Sequence, residues 1–530
     1  MDTTLTRVVA TLAATVLLGA CATLPAERGR EEVAQLLAAH RNSPPQALAE
    51  AGTAQGSLLA APLTPDDAVA LAWRNSPRVE RALAELGIAA AEAFDAGRLR
   101  NPTLSASRMG GSDGCRSVGI SAVVSDLLTL PMRRRLGAAR WRAAVAETAH
   151  ALLEDAARTR KAYYRYVGAM QVAALRDAVA EAASTSAALA QRFRDAGNIS
   201  ALQLAREQAA ATIARTDAAT ARADRLEARM DLAVQLGLAG VDNRWRTPDR
   251  LPLPPTRPLD VDALLASARD QRLDLAAARA ALNAGENAAT FARRYAWLGD
   301  IEFGYEREYE DGERLGGPTL ALSLPLFHQG QGDIARADAG RDMARATLRL
   351  HEQVLERDIR AGIHRLETLR DIITSYRDAL IPQREAIVAR ELERYNFMLI
   401  GAFELIQARQ QEYDAYQRYL EAIRDYWIAR SELAHAVGGP LPGDDADASD
   451  GPAASDVLER GDDEAGGHHH HHHGAASAGT VDSPAPPSGH ADHIDRDGSH
   501  DHDGHDGPDD HDEAPRADTP ADHSGHEHTP

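Results

Sequence analysis

No proline interrupts the chain between Pro131 and Pro248. That absence constrains the fold more than any motif, because proline breaks a helix interior and the residues filling the gap are mostly Ala, Arg, Leu, Glu and Gln, all good helix formers. Arg134 to Arg194 is predicted as one helix of about 60 residues, roughly 90 Å long at the α-helical rise. Gly197-Asn198-Ile199-Ser200 breaks it, and Ser200 is placed to cap a returning helix that runs to about Leu236. The second half repeats the plan. Asp338 to Tyr395 runs out, Leu399-Ile400-Gly401-Ala402 turns, and Phe403 to Val437 returns, with Pro382 expected to kink the outgoing helix. Helices of this length belong to coiled coils or tunnel walls, not to a compact core.

Each long hairpin is preceded by a shorter helix and two strands. Arg78 to Ser107 reads as helix then strand, as does Arg272 to Tyr305, with Phe94 and Phe291 in comparable places. Both halves then reach a Leu-Pro step, Leu130-Pro131 and Leu324-Pro325. A unit this long, present twice, indicates duplication of a whole architecture. The strands alternate. Ile301, Phe303, Tyr305 and Tyr309 share one face and Glu302, Gly304, Glu306 and Glu308 the other. Leu320, Leu322 and Leu324 oppose Thr319, Ala321 and Ser323, and Val118, Ile120, Ala122 and Val124 line one face of the first half. A barrel with lipid outside and water inside gives this period, and so does a soluble sheet with one exposed face. Four strands cannot close a spanning barrel, and lipid forbids an open edge, so strands in a membrane would require several copies; three would supply twelve strands.

The ends of the chain are of different composition. Arg7, the apolar run Val8 to Leu18 and then Leu18-Gly19-Ala20-Cys21 resemble a signal peptide with a lipoprotein cleavage box, making residues 1–20 a removed leader and Cys21 the lipidation site. The run is too short for a permanent span. Of the two cysteines Cys115 then stands alone, so no disulfide framework is available. From Asp444 onward there are 23 acidic residues against 3 arginines, nearly the whole of the chain's net charge of −21. Fifteen of the 21 histidines lie there: His468, His469, His470, His471, His472 and His473 in one run, then His490, His493, His500, His502, His505, His511, His523, His526 and His528. With Gly, Pro, Ser and Ala between them and almost nothing apolar to bury, the segment 441–530 is expected to be disordered. Neutral imidazoles flanked by carboxylates are ligands for zinc, copper, nickel or cobalt, so this tail is a candidate metal binder although no cofactor is required.

Residues 60–440 resemble the TolC family of outer-membrane efflux proteins. The resemblance rests on Leu324-Pro325-Leu326-Phe327 with Gly330-Gln331-Gly332, on the helix-turn elements Phe193 to Leu204 and Tyr395 to Leu405, on the duplication and on the lipoprotein box. Arg28-Gly29-Arg30 with Glu31, Glu32 and Val33 resembles the heavy-metal (CzcC/CusC-type) branch. The family implies an α+β membrane protein. Its duplicated helix-strand-strand-helix unit gives a trimeric 12-stranded outer-membrane β-barrel continued by a long periplasmic α-helical tunnel. On this chain that implies an N-terminal lipidated linker with a short helix (21–62), a first repeat (63–247), a Pro-rich linker (248–258) and a second repeat (259–440). It also implies an adaptor-docking tip at Gly197, Asn198, Ile199, Ser200, Leu399, Ile400, Gly401 and Ala402, and a barrel mouth around Gly110 to Gly114 and Asp311 to Gly317. The implied partners are two further copies, a periplasmic adaptor, an inner-membrane pump of the resistance-nodulation-division type and outer-membrane lipid. The implied location is the outer membrane of a Gram-negative bacterium, with tunnel and tail in the periplasm.

The leading function is therefore an efflux duct for heavy-metal cations, with Glu302, Glu306 and Glu308 facing the lumen. A duct for drugs or organic solutes, and a metal-buffering lipoprotein on a helical stalk, are the alternatives. Enzymatic chemistry fits poorly: there is no phosphate-binding glycine loop, no His-Glu-x-x-His, no paired-cysteine site and no nucleophile elbow. His150, His328, His351, His364 and His435 read as scattered packing or surface residues, and nucleic-acid binding has no net basic surface to act through.

Overall fold

The computed structural model describes residues 29–39, 61–110, 115–238, 245–310, 313–443, 450–456 and 458. A short helix, α1 (Arg30–Ala39), comes first. Thr64 then opens α2 (Pro65–Asn75) with a reciprocal cap, its hydroxyl accepting from the Asp67 N–H while the Asp67 carboxylate accepts from the Thr64 N–H. Ser76 caps α3 (Pro77–Ala96), which leads into β1 (Thr103–Arg108) and β2 (Arg116–Val123). The outgoing helix α4 (Ser125–Asp195) has 71 residues, about 106 Å of rise, and α5 (Ala201–Gln235) returns along it. The second half matches element by element: α6 (Val261–Gln271), α7 (Leu273–Tyr295), β3 (Ile301–Glu310), β4 (Glu313–Leu322), α8 (Gln331–Ser375), a π-helical turn (Tyr376–Leu380), α9 (Ile381–Asn396) and α10 (Ala402–Val437).

Two departures from the sequence reading have physical causes. The outgoing helix starts at Ser125, not beyond Pro131, so Pro131 lies inside it. The preceding turn is seeded from outside: Asp126 accepts from the backbone and guanidinium of Arg100, and the Ser125 hydroxyl accepts from the Ile301 N–H. That anchoring tolerates the one helical hydrogen bond that a proline forfeits. At Pro325 the chain is not helical, and the second outgoing helix begins only after Gly330, whose φ of +73° is left-handed. At Pro382 the outgoing helix does not simply kink. The Ile381 N–H reaches back to the Tyr376 carbonyl, widening one turn, and Pro382 then occupies the first turn of α9, where its missing N–H costs little.

Most of the core lies where α4, α8, α10, the C-terminal end of α5 and the short helices meet. Aromatic side chains fill it: Tyr164 stacks on Trp427 at 5.6 Å, Tyr426 meets Trp427 edge-on, and Tyr166 meets Trp245 edge-on with the Arg229 guanidinium over the indole. Toward the hairpin tip the packing changes to alanine. Ala180 and Ala183 on α4 sit against Ala211, Ala214 and Ala218 on α5, and side chains this small let the two helices approach closely.

The chain continues as packed structure past the boundary expected at residue 440. Leu441, Ala453 and Ala454 are buried, Asp450 bridges to Pro252, Gln171 donates to the Pro452 carbonyl at 3.0 Å, and Arg250 reaches Asp456. This strap lies on the linker between the repeats, which Trp427 also holds through a 2.7 Å bond to the Pro252 carbonyl. The chain divides into two units, Met1–Gly467 and His468–Pro530, the second wholly outside the described residues.

A sheet with opposite faces and two helical tips

The four strands form one antiparallel sheet in the order β1-β2-β3-β4, and the two repeats join through the β2–β3 ladder, from Arg116 opposite Tyr309 to Val123 opposite Glu302. Directly opposed residues share a face, so the register sorts the side chains. One face carries Leu104, Ile120, Tyr305 and Pro318 in one row and Ala122, Phe303 and Leu320 in the next, with Ile301 opposite Leu322 nearest the helices. Apart from the half-buried Ile301, the large apolar groups stand exposed, Ile120 at 53% and Leu320 at 62%. The other face carries Ser105, Gly119, Glu306 and Gly317 in one row and Ser107, Ser117, Glu308 and Leu315 in another. It is crowded: a Cβ on Gly304 would lie 2.7 Å from the Ile120 carbonyl oxygen and 2.8 Å from Thr319 Oγ1.

The sorting of charge is complete and was only partly visible in sequence. All five glutamates of the strands, Glu302, Glu306, Glu308, Glu310 and Glu313, lie on the polar face. All four arginines, Arg108, Arg116, Arg307 and Arg314, lie on the apolar face. Alternation within one strand identified Glu302, Glu306 and Glu308, but Arg307 interrupts the apolar series, and only the register assigns it with the other three. Cys115 donates to the Glu308 carboxylate at 2.7 Å.

Beneath the sheet, Arg100 ties the repeats together. Its guanidinium forms paired hydrogen bonds with Asp126, at 3.0 Å from Nε and Nη2, and with Asp300, at 2.9 and 2.6 Å. Asp126 follows β2 and Asp300 precedes β3, so one side chain spans the duplication.

The two hairpin tips have the same backbone. At the first, the Asn198 N–H bonds the Phe193 carbonyl, Gly197 takes φ +77°, and Ser200 caps α5 by accepting from Gln203. At the second, the Leu399 N–H bonds the Arg394 carbonyl and Met398 occupies the equivalent left-handed position at φ +59°, unusual for a residue with a side chain. Their chemistry differs. Gly197-Asn198-Ile199-Ser200 is mostly polar, whereas Phe397, Met398 and Leu399 stand exposed beside Ile400, Gly401 and Ala402.

A cluster that the sequence reading treated as scattered forms between the repeats. The His150 and His435 rings, from α4 and α10, stack at 5.5 Å, and His351 on α8 pairs with Asp274, which Arg272 also holds. Burial, then the neighbouring His150, pushes His435 down to about 4. A histidine with a lowered value stabilises the fold above its ordinary value near 6.5, and that contribution is lost as pH falls toward about 4. We expect acidification from pH 7.5 to 4.5 to cost on the order of 2 kcal/mol through this ring. The checking measurement is the pH profile of the denaturation midpoint, which His435→Phe should flatten across that interval.

Cys21 and the tail histidines, His468 to His528, lie outside the described residues, as do parts of the expected barrel mouth. Among the described residues no three metal-ligating side chains are assembled to hold an ion, and no helix is long and apolar enough to cross a membrane.

No family model matches the sequence, and no curated protein matches it. Solved structures do match. The CmeC outer membrane channel of Campylobacter jejuni superposes with a TM-score of 0.62 at 16% identity, over 76% of this chain and 89% of that one. The outer membrane protein VceC of Vibrio cholerae gives 0.59 at 18%, over 71% and 96%. The chain has the TolC-like channel fold. A CusC structure, from crystals that address transmembrane channel formation, gives 0.58 at 15%, over 71% and 92%. Within the TolC-like fold CusC is thus no nearer than CmeC or VceC, and the heavy-metal branch expected from Arg28 to Val33 is not singled out.

Proposed function

We propose that this chain is one subunit of a trimeric outer-membrane channel, anchored by lipid at Cys21, that forms the exit duct of a tripartite efflux system for heavy-metal cations. The observation that carries the reading is the sheet. An exposed apolar face backed by a polar, acidic face suits a wall between lipid and water, and its two open edges suit closure by further copies into a twelve-stranded barrel. The helical hairpins then form a periplasmic tunnel whose tips, Gly197 to Ser200 and Leu399 to Ala402, meet a periplasmic adaptor linked to an inner-membrane pump. The duct performs no chemistry. Glu302, Glu306 and Glu308 face the lumen, where with Glu310 and Glu313 they favour cations over anions.

Metal as cargo is supported by the tail, whose fifteen histidines amid carboxylates are suited to zinc, copper, nickel or cobalt. In this reading the tail lies in the periplasm, so metal captured there would be scavenged on that side of the membrane and not at the extracellular mouth. The test is a growth panel of a deletion strain complemented with the full chain or with a version ending at Gly467, which keeps the strap. Zinc, cobalt, nickel, cadmium, copper and silver are compared with hydrophobic drugs. Rescue against metals by both versions supports a metal duct with an accessory tail, and rescue by the full chain alone puts the tail in the mechanism. Rescue against drugs only would overturn the metal assignment.

A further inference from the structure

The four strand arginines have no place in an account of the lumen. Arg108, Arg116 and Arg314 stand in a single row with Tyr309, and Arg307 lies one row closer to the helices, all exposed on the face that bears Leu104, Ile120, Phe303 and Leu320. The row adjoins the two hairpin turns, at the end of the sheet remote from the helices. None of the four takes part in an ion pair among the described residues, and the five strand glutamates lie on the opposite face, out of reach. Arg108 sits directly opposite Arg116, and like charges in that relation destabilise a sheet unless an anion lies between them. Arg314 also packs over the Tyr309 ring at 5.5 Å; an aromatic beside cations is the composition of a membrane interface.

We propose that Arg108, Arg116, Arg307 and Arg314 form an outward-facing collar that docks the phosphate groups of glycolipid headgroups in the outer leaflet. The inference rests on the barrel reading above. Along β3, Tyr309 lies eight residue steps beyond Ile301, about 27 Å at the strand rise. Tilted by about 35–45°, that stretch rises about 20 Å, which brings the arginine row close to the upper edge of an apolar band about 25 Å tall. Guanidinium groups match phosphate geometry through paired hydrogen bonds and are weakly hydrated, which suits them to a headgroup layer better than lysine. Phosphates between Arg108 and Arg116 convert a repulsive pair into a bridged one, and the collar fixes the depth of the barrel.

The test uses the full chain purified in a neutral detergent and titrated with bis-phosphorylated lipid A or with the same lipid dephosphorylated, bound lipid being counted by native mass spectrometry. The wild type is expected to take up the phosphorylated form about 10-fold more tightly. A variant carrying R108Q, R116Q, R307Q and R314Q together should lose that preference, and the corresponding four lysine substitutions should keep part of it. Equal binding of the two lipids by the wild type, or an undiminished preference in the glutamine variant, would overturn the collar. If the glutamine variant does not assemble, the wild-type comparison and R116Q alone, expected to reduce the preference several-fold, decide. Single-channel recording of the wild type in phosphate-free bilayers separates the two readings: conduction without lipid preference removes only the collar, and no conduction removes the barrel as well.

Discussion

Ile120→Arg should prevent stable assembly in the membrane, whereas Thr319→Arg should be tolerated. Both positions are exposed in the single chain, and both lie on the same sheet. Ile120 is in a central row of the apolar face, and Thr319 belongs to the polar face. An arginine near the middle of a barrel's lipid-facing band costs about 2–4 kcal/mol per chain, and three copies would each bear it. On a water-exposed sheet the same change stays within about 0.5 kcal/mol. Fractionation of membranes together with the denaturation midpoint of the extracted protein reads the difference. Equal behaviour of the two variants would mean that the apolar face meets water.

The second large effect is expected at Arg100. Its side chain is half exposed, but Asp126, which it satisfies through backbone and guanidinium donors, retains only 7% of its side-chain exposure. Arg100→Ala leaves that carboxylate with the backbone N–H of residue 100, at 3.1 Å, and with Arg133, at 3.6 Å, and releases Asp300 at the foot of β3. Because Arg100 is itself half exposed and Asp126 keeps two other donors, the expected cost is about 1–2 kcal/mol, most of it on the Asp126 side, since the half-exposed Asp300 arm is screened by solvent. Asp126→Asn, which keeps a hydrogen-bond acceptor, should cost less. A midpoint unchanged by Arg100→Ala would show that this clasp adds nothing to the β2–β3 ladder and the helical core in joining the repeats.

The helical hairpins were legible because helix propensity and the absence of proline act locally over many turns, and Ser200 announced its own cap. The start of α4 was not legible, because the anchors of Asp126 and Ser125 come from Arg100 and Ile301, far away in sequence. Strand alternation revealed Glu302, Glu306 and Glu308. The arginine row needed the register of four strands, since no single strand carries more than one arginine. His150, Asp274, His351 and His435 each sit on a different helix, and nothing in their spacing brings them together. The strap around Pro452 has the composition of a loop, so its burial against the linker came only from the tertiary structure.

The central claim is that the sheet walls an aqueous pore. Single-channel conductance of the purified full chain in planar bilayers, measured under a salt gradient, tests it most directly. The account expects discrete steps with a reversal potential on the cation side, shifted toward zero in a variant combining E302Q, E306Q and E308Q. Absence of discrete conductance, or anion selectivity in the wild type, would contradict it.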